Sequence, residues 1–344
     1  MDKDLAYLQR RARREERRQR QRDANVGRAA AMHAARLAFE RGRPKDEKPA
    51  RQDSYPGIWA GGQDLHIGCS GWFYWHWRNG FYPPDSRTAE WFDHYADTFD
   101  TVELNAPFYC WPKVSAVQGW ARQAGERDFV YTVKVSDLIT HVKRFVGTKR
   151  LVEDFYHVAD ILGLRMGCFL FQLPPSYRYT KARLNAIVRQ LDPARRNVVE
   201  FRHASWWNEA VYAAFRERGI IFCSCSGPRL PDELVKTADE VYVRFHGTKR
   251  WYRHDYSAEE LAVWAKRIGE SGAKKVWAYF NNDRECHAIR NALELRLQLK
   301  RKGRAKRIGT EVSSSERASG AGPRGGARRA PAGGSTRPAP PRRR

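Results

Sequence analysis

Val241-Tyr242-Val243-Arg244-Phe245 is a β-rich run, and a helical pattern follows it over Ser257–Ile268. The unit then repeats: Lys275-Val276-Trp277-Ala278-Tyr279-Phe280, followed by a helical pattern over His287–Leu299. Two runs of strand type separated by a helix pair in parallel, because a crossover is needed to bring the chain back to the same end. Reading upstream adds six more strand candidates: Leu65–Gly68, Thr101–Asn105, Phe129–Val135, Met166–Gln172, Asn197–Phe201 and Ile220–Cys223. Helical patterns over Ala89–Phe99, Val114–Gln123, Leu151–Leu162, Ala182–Leu191 and Ala210–Arg218 separate them. The connection Ser224–Thr237 is the weak one, with room for a turn of helix. Eight β/α units in this span predict a (β/α)8 barrel of the TIM type. The chain contains no G-x-G-x-x-G and no G-x-x-x-x-G-K-[ST], so dinucleotide and Walker-type phosphate binding find no support.

Outside these units the composition changes. The chain has 344 residues and a formal charge of +24. Residues 1–57 carry +7 and residues 300–344 carry +12, leaving +5 for 58–299. Nearly all aromatic residues lie between Tyr55 and Tyr279. The organisation expected is therefore a basic N-terminal extension and linker (1–57), a barrel domain (58–299) and a basic tail (300–344). Leu5–Arg41 is rich in Arg, Glu, Gln and Ala, which predicts a solvated, partly frayed helix. Gly42–Gly62 holds three prolines and a Gly-Gly pair and reads as a linker. The tail beyond about Arg301 is Gly-, Ala-, Pro-, Ser- and Arg-rich, too poor in apolar residues to offset its ordering entropy, so it is expected to be disordered. Met1–Arg22 has no apolar segment of the secretory type, and no run approaches the ~20 apolar residues of a membrane span. Six scattered cysteines without a C-x-x-C pair read as reduced thiols, which places the expectation in the cytoplasm.

Within the barrel region a series of words stands out. Ile67-Gly68-Cys69-Ser70-Gly71-Trp72 leads to Tyr74, Trp77 and Phe81-Tyr82-Pro83. Val102-Glu103-Leu104-Asn105 precedes Phe108-Tyr109 and Pro112; Thr140-His141 and Phe171-Gln172-Leu173-Pro174-Pro175 follow. Val199-Glu200-Phe201-Arg202-His203 with Ser205-Trp206, Tyr242-Val243-Arg244-Phe245-His246-Gly247, and Tyr279-Phe280-Asn281-Asn282-Asp283 complete the series. In order and spacing this resembles the YecE-like proteins, the family called domain of unknown function 72. The resemblance implies a TIM barrel over roughly 65–299 and implies no reaction, since the family is itself uncharacterised. The chain departs from the pattern at Cys286, where glycine is usual, and at Cys110-Trp111, where a basic and an aliphatic residue are usual.

The strand ends carry the chemistry. Side chains alternate along a strand, and functional groups of a TIM barrel gather at the C-terminal ends of its strands. On one phase lie Glu103 and Asn105, Thr132 and Lys134, Glu200 and Arg202, Tyr242, Arg244 and His246, and Tyr279, Asn281 and Asp283. Buried charges persist only when paired or hydrogen-bonded, so a polar cluster is expected at the barrel mouth. As proton-transfer groups this reading names Glu200, Glu103, His246 and Asp283. As ligand-binding groups it names Lys134, Arg202, Arg244, Asn105, Asn281 and Lys249, the last in the Gly247-Thr248-Lys249-Arg250 loop. These cations point to an anionic small molecule or sugar-like substrate undergoing acid–base or hydrolytic chemistry. A structural salt-bridge layer would produce the same pattern, and that alternative stays open. No cofactor is indicated. A divalent metal remains a minor alternative, since no H-x-H or H-E-x-x-H spacing occurs and the neighbouring cations oppose it. The other class of function is non-specific nucleic-acid association through the basic extensions and the aromatics Trp72, Tyr74, Trp75, Trp77, Phe108, Tyr109 and Trp111. No membrane partner is expected.

Overall fold

A computed structural model of the chain describes residues 2–44 and 52–301. A long helix α1 (Asp2–Gly42) comes first, then β1 (Ile58–Ala60) and β2 (Gln63–Cys69). The alternation continues with α2 (Trp91–Thr98), β3 (Thr101–Leu104), a short α3 (Ala106–Tyr109), α4 (Val114–Ala124), β4 (Val130–Lys134), α5 (Lys149–Leu162) and β5 (Met166–Gln172). It closes with α6 (Lys181–Val188), β6 (Asn197–Glu200), α7 (Glu209–Arg218), β7 (Ile221–Ser226), β8 (Glu240–Phe245), α8 (Ala258–Glu270), β9 (Lys275–Phe280) and α9 (287–301). All eight expected strands are present. Nothing helical occupies the connection between β7 and β8, which the sequence had marked as weak.

The hydrogen-bonded order is β1-β2-β9-β8-β7-β6-β5-β4-β3, with every pair after β1–β2 parallel. The sheet curls into a TIM-type barrel whose ladder is interrupted between β2 and β3. Side chains bridge that seam. The Tyr95 hydroxyl accepts from the Cys69 N–H (2.8 Å) and donates to the Thr101 carbonyl (3.0 Å), replacing a ladder bond with a two-bond relay. Gly68 permits the approach, because a Cβ there would lie 2.4 Å from the Thr101 oxygen. Leu104, Val133, Phe171, Val199, Phe245 and Phe280 point outward into the helix layer and form one cluster with it. Cys168, Leu170, Val198, Tyr242, Trp277 and Tyr279 fill the interior.

The interior is layered. At the N-terminal floor, Trp277 stacks on His66 at 4.1 Å and donates from Nε1 to Glu240 at 2.7 Å, while Arg196 pairs with Glu240 and Lys275 with Asp64. Gly167 makes room for that indole: a Cβ would sit 3.1 Å from its ring. In the middle, the Tyr279 hydroxyl joins Thr101 Oγ1 (2.7 Å) and Thr132 Oγ1 (3.0 Å). The charged residues of the strand ends lie above.

Two expectations about the N-terminal part change. The stretch read as a linker is, from Gln52 onward, part of the floor: Gln52 bonds the Gly167 carbonyl and the Arg196 N–H, and β1 forms a hairpin with β2 across Gly61-Gly62, both at positive φ. The Gly-Gly pair is a hairpin signal as much as a linker signal. The helix read as solvated is exposed over residues 5–24, apart from half-buried Ala6, Gln21 and Arg22, but docked beyond them. Asn25, Ala29 and Met32 are buried, and His33 and Arg36 both bond the buried Asp154 of α5 (2.8 and 2.9 Å). Three small or flexible residues at helical spacing make too thin an apolar stripe to stand out by composition. The stretch expected to be disordered, beyond residue 301, lies outside the described residues. Among the described residues no helix is long and apolar enough to cross a membrane.

Candidate functional site

Glu103 on β3, Glu200 on β6 and Arg244 on β8 point inward at the top of the barrel and are buried. Arg244 is the hub. Its Nη1 donates to Glu200 (2.6 Å) and its Nη2 to Glu103 (2.5 Å). Glu103 also accepts from Ser70 Oγ (2.7 Å) and the Tyr242 hydroxyl (2.5 Å). Glu200 accepts from Arg202 Nε as well, and His246 Nε2 lies 3.2 Å from it. The Arg202 guanidinium sits over Trp251, its Cζ 4.5 Å from the ring centroid.

The electrostatics follow from these contacts. Burial pushes the Glu200 carboxyl up, but Arg202, Arg244 and the His246 hydrogen bond outweigh it and hold the group well below its ordinary value. Arg244 is likewise penalised by burial and held charged by Glu103 and Glu200. Burial, then Arg202 and Arg244, pull the His246 imidazole well below its ordinary value, so it is neutral. Its Nε2 sits between Arg202 Nη2 (3.0 Å), which can only donate, and Glu200 (3.2 Å), which can only accept, while Nδ1 accepts from Asn281 Nδ2 at 3.3 Å.

Beside this network, in which only Arg244 Nε among the buried guanidinium and carboxylate atoms has no hydrogen-bond partner among the described residues, sits Lys134, at the end of β4. Glu103 is in register with Thr132, so Asn105 stands level with Lys134, two residues further along. The Lys134 side chain is buried, and its Nζ lies 3.9 Å above the Phe108 ring. Among the described residues no carboxylate comes within 4.0 Å of it. Burial, with Arg244 next, brings its amine down to about 7. His141 follows in a turn of π-helix (Leu138–Val142), held by Thr140 Oγ1 at 2.9 Å and edge-on to Phe108. Burial and the Lys134 charge bring its imidazole down to about 4. Asn105 donates to the Ser70 carbonyl at 3.3 Å, while its Oδ1 is buried without a hydrogen-bond partner among the described residues.

The structure therefore gathers Glu103, Glu200, Arg202, Arg244, His246 and Asn281 into one network, with Asn105 joined through Ser70 and Lys134 alongside. It does not bring in Asp283. That carboxylate faces His76 (3.4 Å) across a cleft lined by Trp251 and Tyr252, because the chain turns away after Asn281. Lys249 is exposed in the loop after β8. Ser70, Tyr242 and Trp251 were not singled out as site residues. For Ser70 a signal existed, since it continues the inward phase of His66 and Gly68. Nothing in the sequence sets Trp251 on Arg202.

Glu200, Cys225 and His246 present donor atoms within 4.8 Å of one another, a possible metal triad. The set suits a cation poorly. Both Glu200 oxygens already accept from guanidinium groups, and a metal ion there would stand against Arg202 and Arg244.

The sequence model of the family described as a protein of unknown function, DUF72, matches residues 66–315. The UPF0759 protein YunF of Bacillus subtilis is 26% identical over 267 residues, covering 67% of this chain and 93% of that protein. A crystal structure of a DUF72 family protein from Thermotoga maritima is 27% identical and covers 69% of this chain and 99% of its own, with a TM-score of 0.63. One from Enterococcus faecalis is 18% identical, covering 68% and 95%, with a TM-score of 0.58. Helix α1 precedes the matched region, and through residues 66–315 the chain belongs to the DUF72 family.

Proposed function

We propose that the barrel mouth performs acid–base chemistry of the hydrolytic kind on a small, anionic, hydroxyl-bearing substrate, with Lys134 as the group that exchanges the proton. The observation carrying this reading is the contrast between Lys134 and its neighbours. Glu103, Glu200, Arg202 and Arg244 are paired with one another as carboxylate and guanidinium, whereas the Lys134 amine rests on an aromatic face with no carboxylate within 4.0 Å among the described residues. An amine poised near neutrality accepts a proton from a substrate hydroxyl, or holds one against a substrate anion, at little cost. The unpaired Asn105 Oδ1 is suited to take a hydroxyl hydrogen bond on the same side. In this reading Glu103, Glu200 and His246 orient Arg202 and Arg244 rather than shuttle protons themselves, and Arg202 and Asn281 face the ligand.

The test is a panel of sugar phosphates and sugar acids, screened by thermal shift and followed for turnover by NMR. A ligand should raise the melting temperature of the native protein. Lys134→Met should abolish turnover and lower affinity for the anion by tenfold or more while leaving the fold intact. Undiminished turnover in Lys134→Met would overturn the assignment.

A further inference from the structure

Helix α1 lies outside the family region, yet it is built into the structure at the mouth. Asn25 donates to the Tyr109 carbonyl (3.0 Å) and accepts from the Trp111 N–H (2.9 Å), and Arg28 donates to Cys110 Sγ. Tyr109, Cys110 and Trp111 belong to the segment that leaves the C-terminal end of β3, so Asn25 is level with the rim. Further down, Arg36 reaches Asp154 and Phe39 packs on His157, both on α5. The helix thus runs parallel to α5, both descending from the mouth, and its residues before Asn25 continue past the rim. At 1.5 Å per residue, Arg10 stands roughly 20 Å beyond Asn25.

That projecting half contains eight arginines between Arg10 and Arg22, and only Glu15 and Glu16 as acids within the same span. At about 100° per residue, all eight fall within an arc of roughly 200°. Asn25, Ala29, Met32 and Arg36, which dock on the barrel, fall inside the same arc; Glu15 and Glu16 fall outside it. Arg10, Arg11, Arg14, Arg18 and Arg22 fall within about 70° of the docked face's centre and so look toward the mouth, while Arg13, Arg17 and Arg20 lie to the side and behind. Glu15 and Glu16 pair with Arg18, Arg20 and Arg22, and these exposed contacts leave most of the charge uncompensated. Tyr109, whose carbonyl Asn25 holds, exposes more than half of its surface, as do Phe73 and Trp75 in the segment after β2.

We infer that the projecting half of α1 is an arm for single-stranded nucleic acid, holding the phosphate backbone while bases stack on Phe73, Trp75 and Tyr109. A row of guanidiniums beside exposed aromatic rings is the combination that single strands require. A lipid surface is the poorer fit, since an interfacial helix needs an apolar face and Ala12 is the one apolar residue between Gln9 and Asp23. This inference goes beyond the proposed chemistry of the mouth and does not rest on it.

The test uses the full chain and a fluorescent oligo(dT), with affinity measured by anisotropy across a salt series. Neutralising the arm by Arg10→Gln, Arg11→Gln, Arg14→Gln and Arg18→Gln should weaken binding at least tenfold. The slope of log affinity against log salt should fall by about 2–3, at ~0.7 per phosphate contact on a single strand. A matched variant of the C-terminal segment (Arg324→Gln, Arg328→Gln, Arg329→Gln, Arg337→Gln) should lose less than the arm variant. The pair Trp75→Ala and Tyr109→Ala should lower affinity without changing the salt slope. An arm variant that binds like the native chain would overturn the inference. So would binding abolished by the C-terminal variant alone, or binding to anionic vesicles with none to the oligonucleotide.

Discussion

Arg244 and Glu103 meet across the interrupted seam of the barrel: the guanidinium comes from β8, the carboxylate from β3, and they bond at 2.5 Å with β2 and β9 between them. The ladder does not close between β2 and β3, so this ion pair, the Ser70–Glu103 bond and the Tyr95 relay hold the two edges together.

Removing the hub should therefore be costly. Arg244→Met leaves two buried carboxylates short of a partner and is expected to destabilise the fold by about 3–5 kcal/mol. Adding Glu103→Gln removes one of the stranded charges and should recover part of the loss. Urea denaturation of the single and double variants measures the difference; a loss under 1 kcal/mol would show that the network does not support the fold.

The seam itself is tested by Tyr95→Phe. The change keeps the ring and strips the hydroxyl, leaving the Cys69 N–H and the Thr101 carbonyl unpaired in a buried setting. A cost of about 1–3 kcal/mol is expected. Hydrogen exchange at the Cys69 amide should accelerate more than exchange at amides on β5 or β6.

Lys134 makes stability depend on pH. Its amine titrates at about 7 in the folded chain and near 10.4 when unfolded. Between those values the unfolded state holds more protons, so this group makes stability rise as pH increases from about 7 toward 10. Below 7 its destabilising contribution is fully present and constant. Lys134→Met should flatten the rise and stabilise the protein at neutral pH. Melting curves of both proteins from pH 6 to 10 check the sign, and parallel curves would contradict it.

The docking of α1 turns on Asn25. Asn25→Ala removes the partners of the Tyr109 carbonyl and the Trp111 N–H and is expected to cost about 1–3 kcal/mol of helix docking. Limited trypsin digestion should then cut after Arg28 and Arg36 faster than in the native chain, with the barrel still resistant.

All eight strands, their parallel order and the inward phase of the charged residues were legible in the sequence. Strand and helix periodicities are local, and an inward Glu103, Glu200 or Arg244 announces itself by breaking an apolar run at a strand end. Pairing is a different matter. Alternation says that Glu200 and Arg244 face inward; only the curl of the sheet brings their side chains within 2.6 Å. Asp283 shows the limit, because it shares the phase of Tyr279 and Asn281, yet the strand has ended and the backbone carries it to His76. The orientation of α1 was equally hidden. Its docking face consists of Asn25, Ala29 and Met32, residues whose burial depends on what lies opposite them. Local propensity determined that a helix would form and that its first half would be basic. Where that helix rests, and that Arg10, Arg11, Arg14, Arg18 and Arg22 turn toward the mouth, was decided by contacts with Tyr109, Trp111 and Asp154, residues more than 80 positions away along the chain.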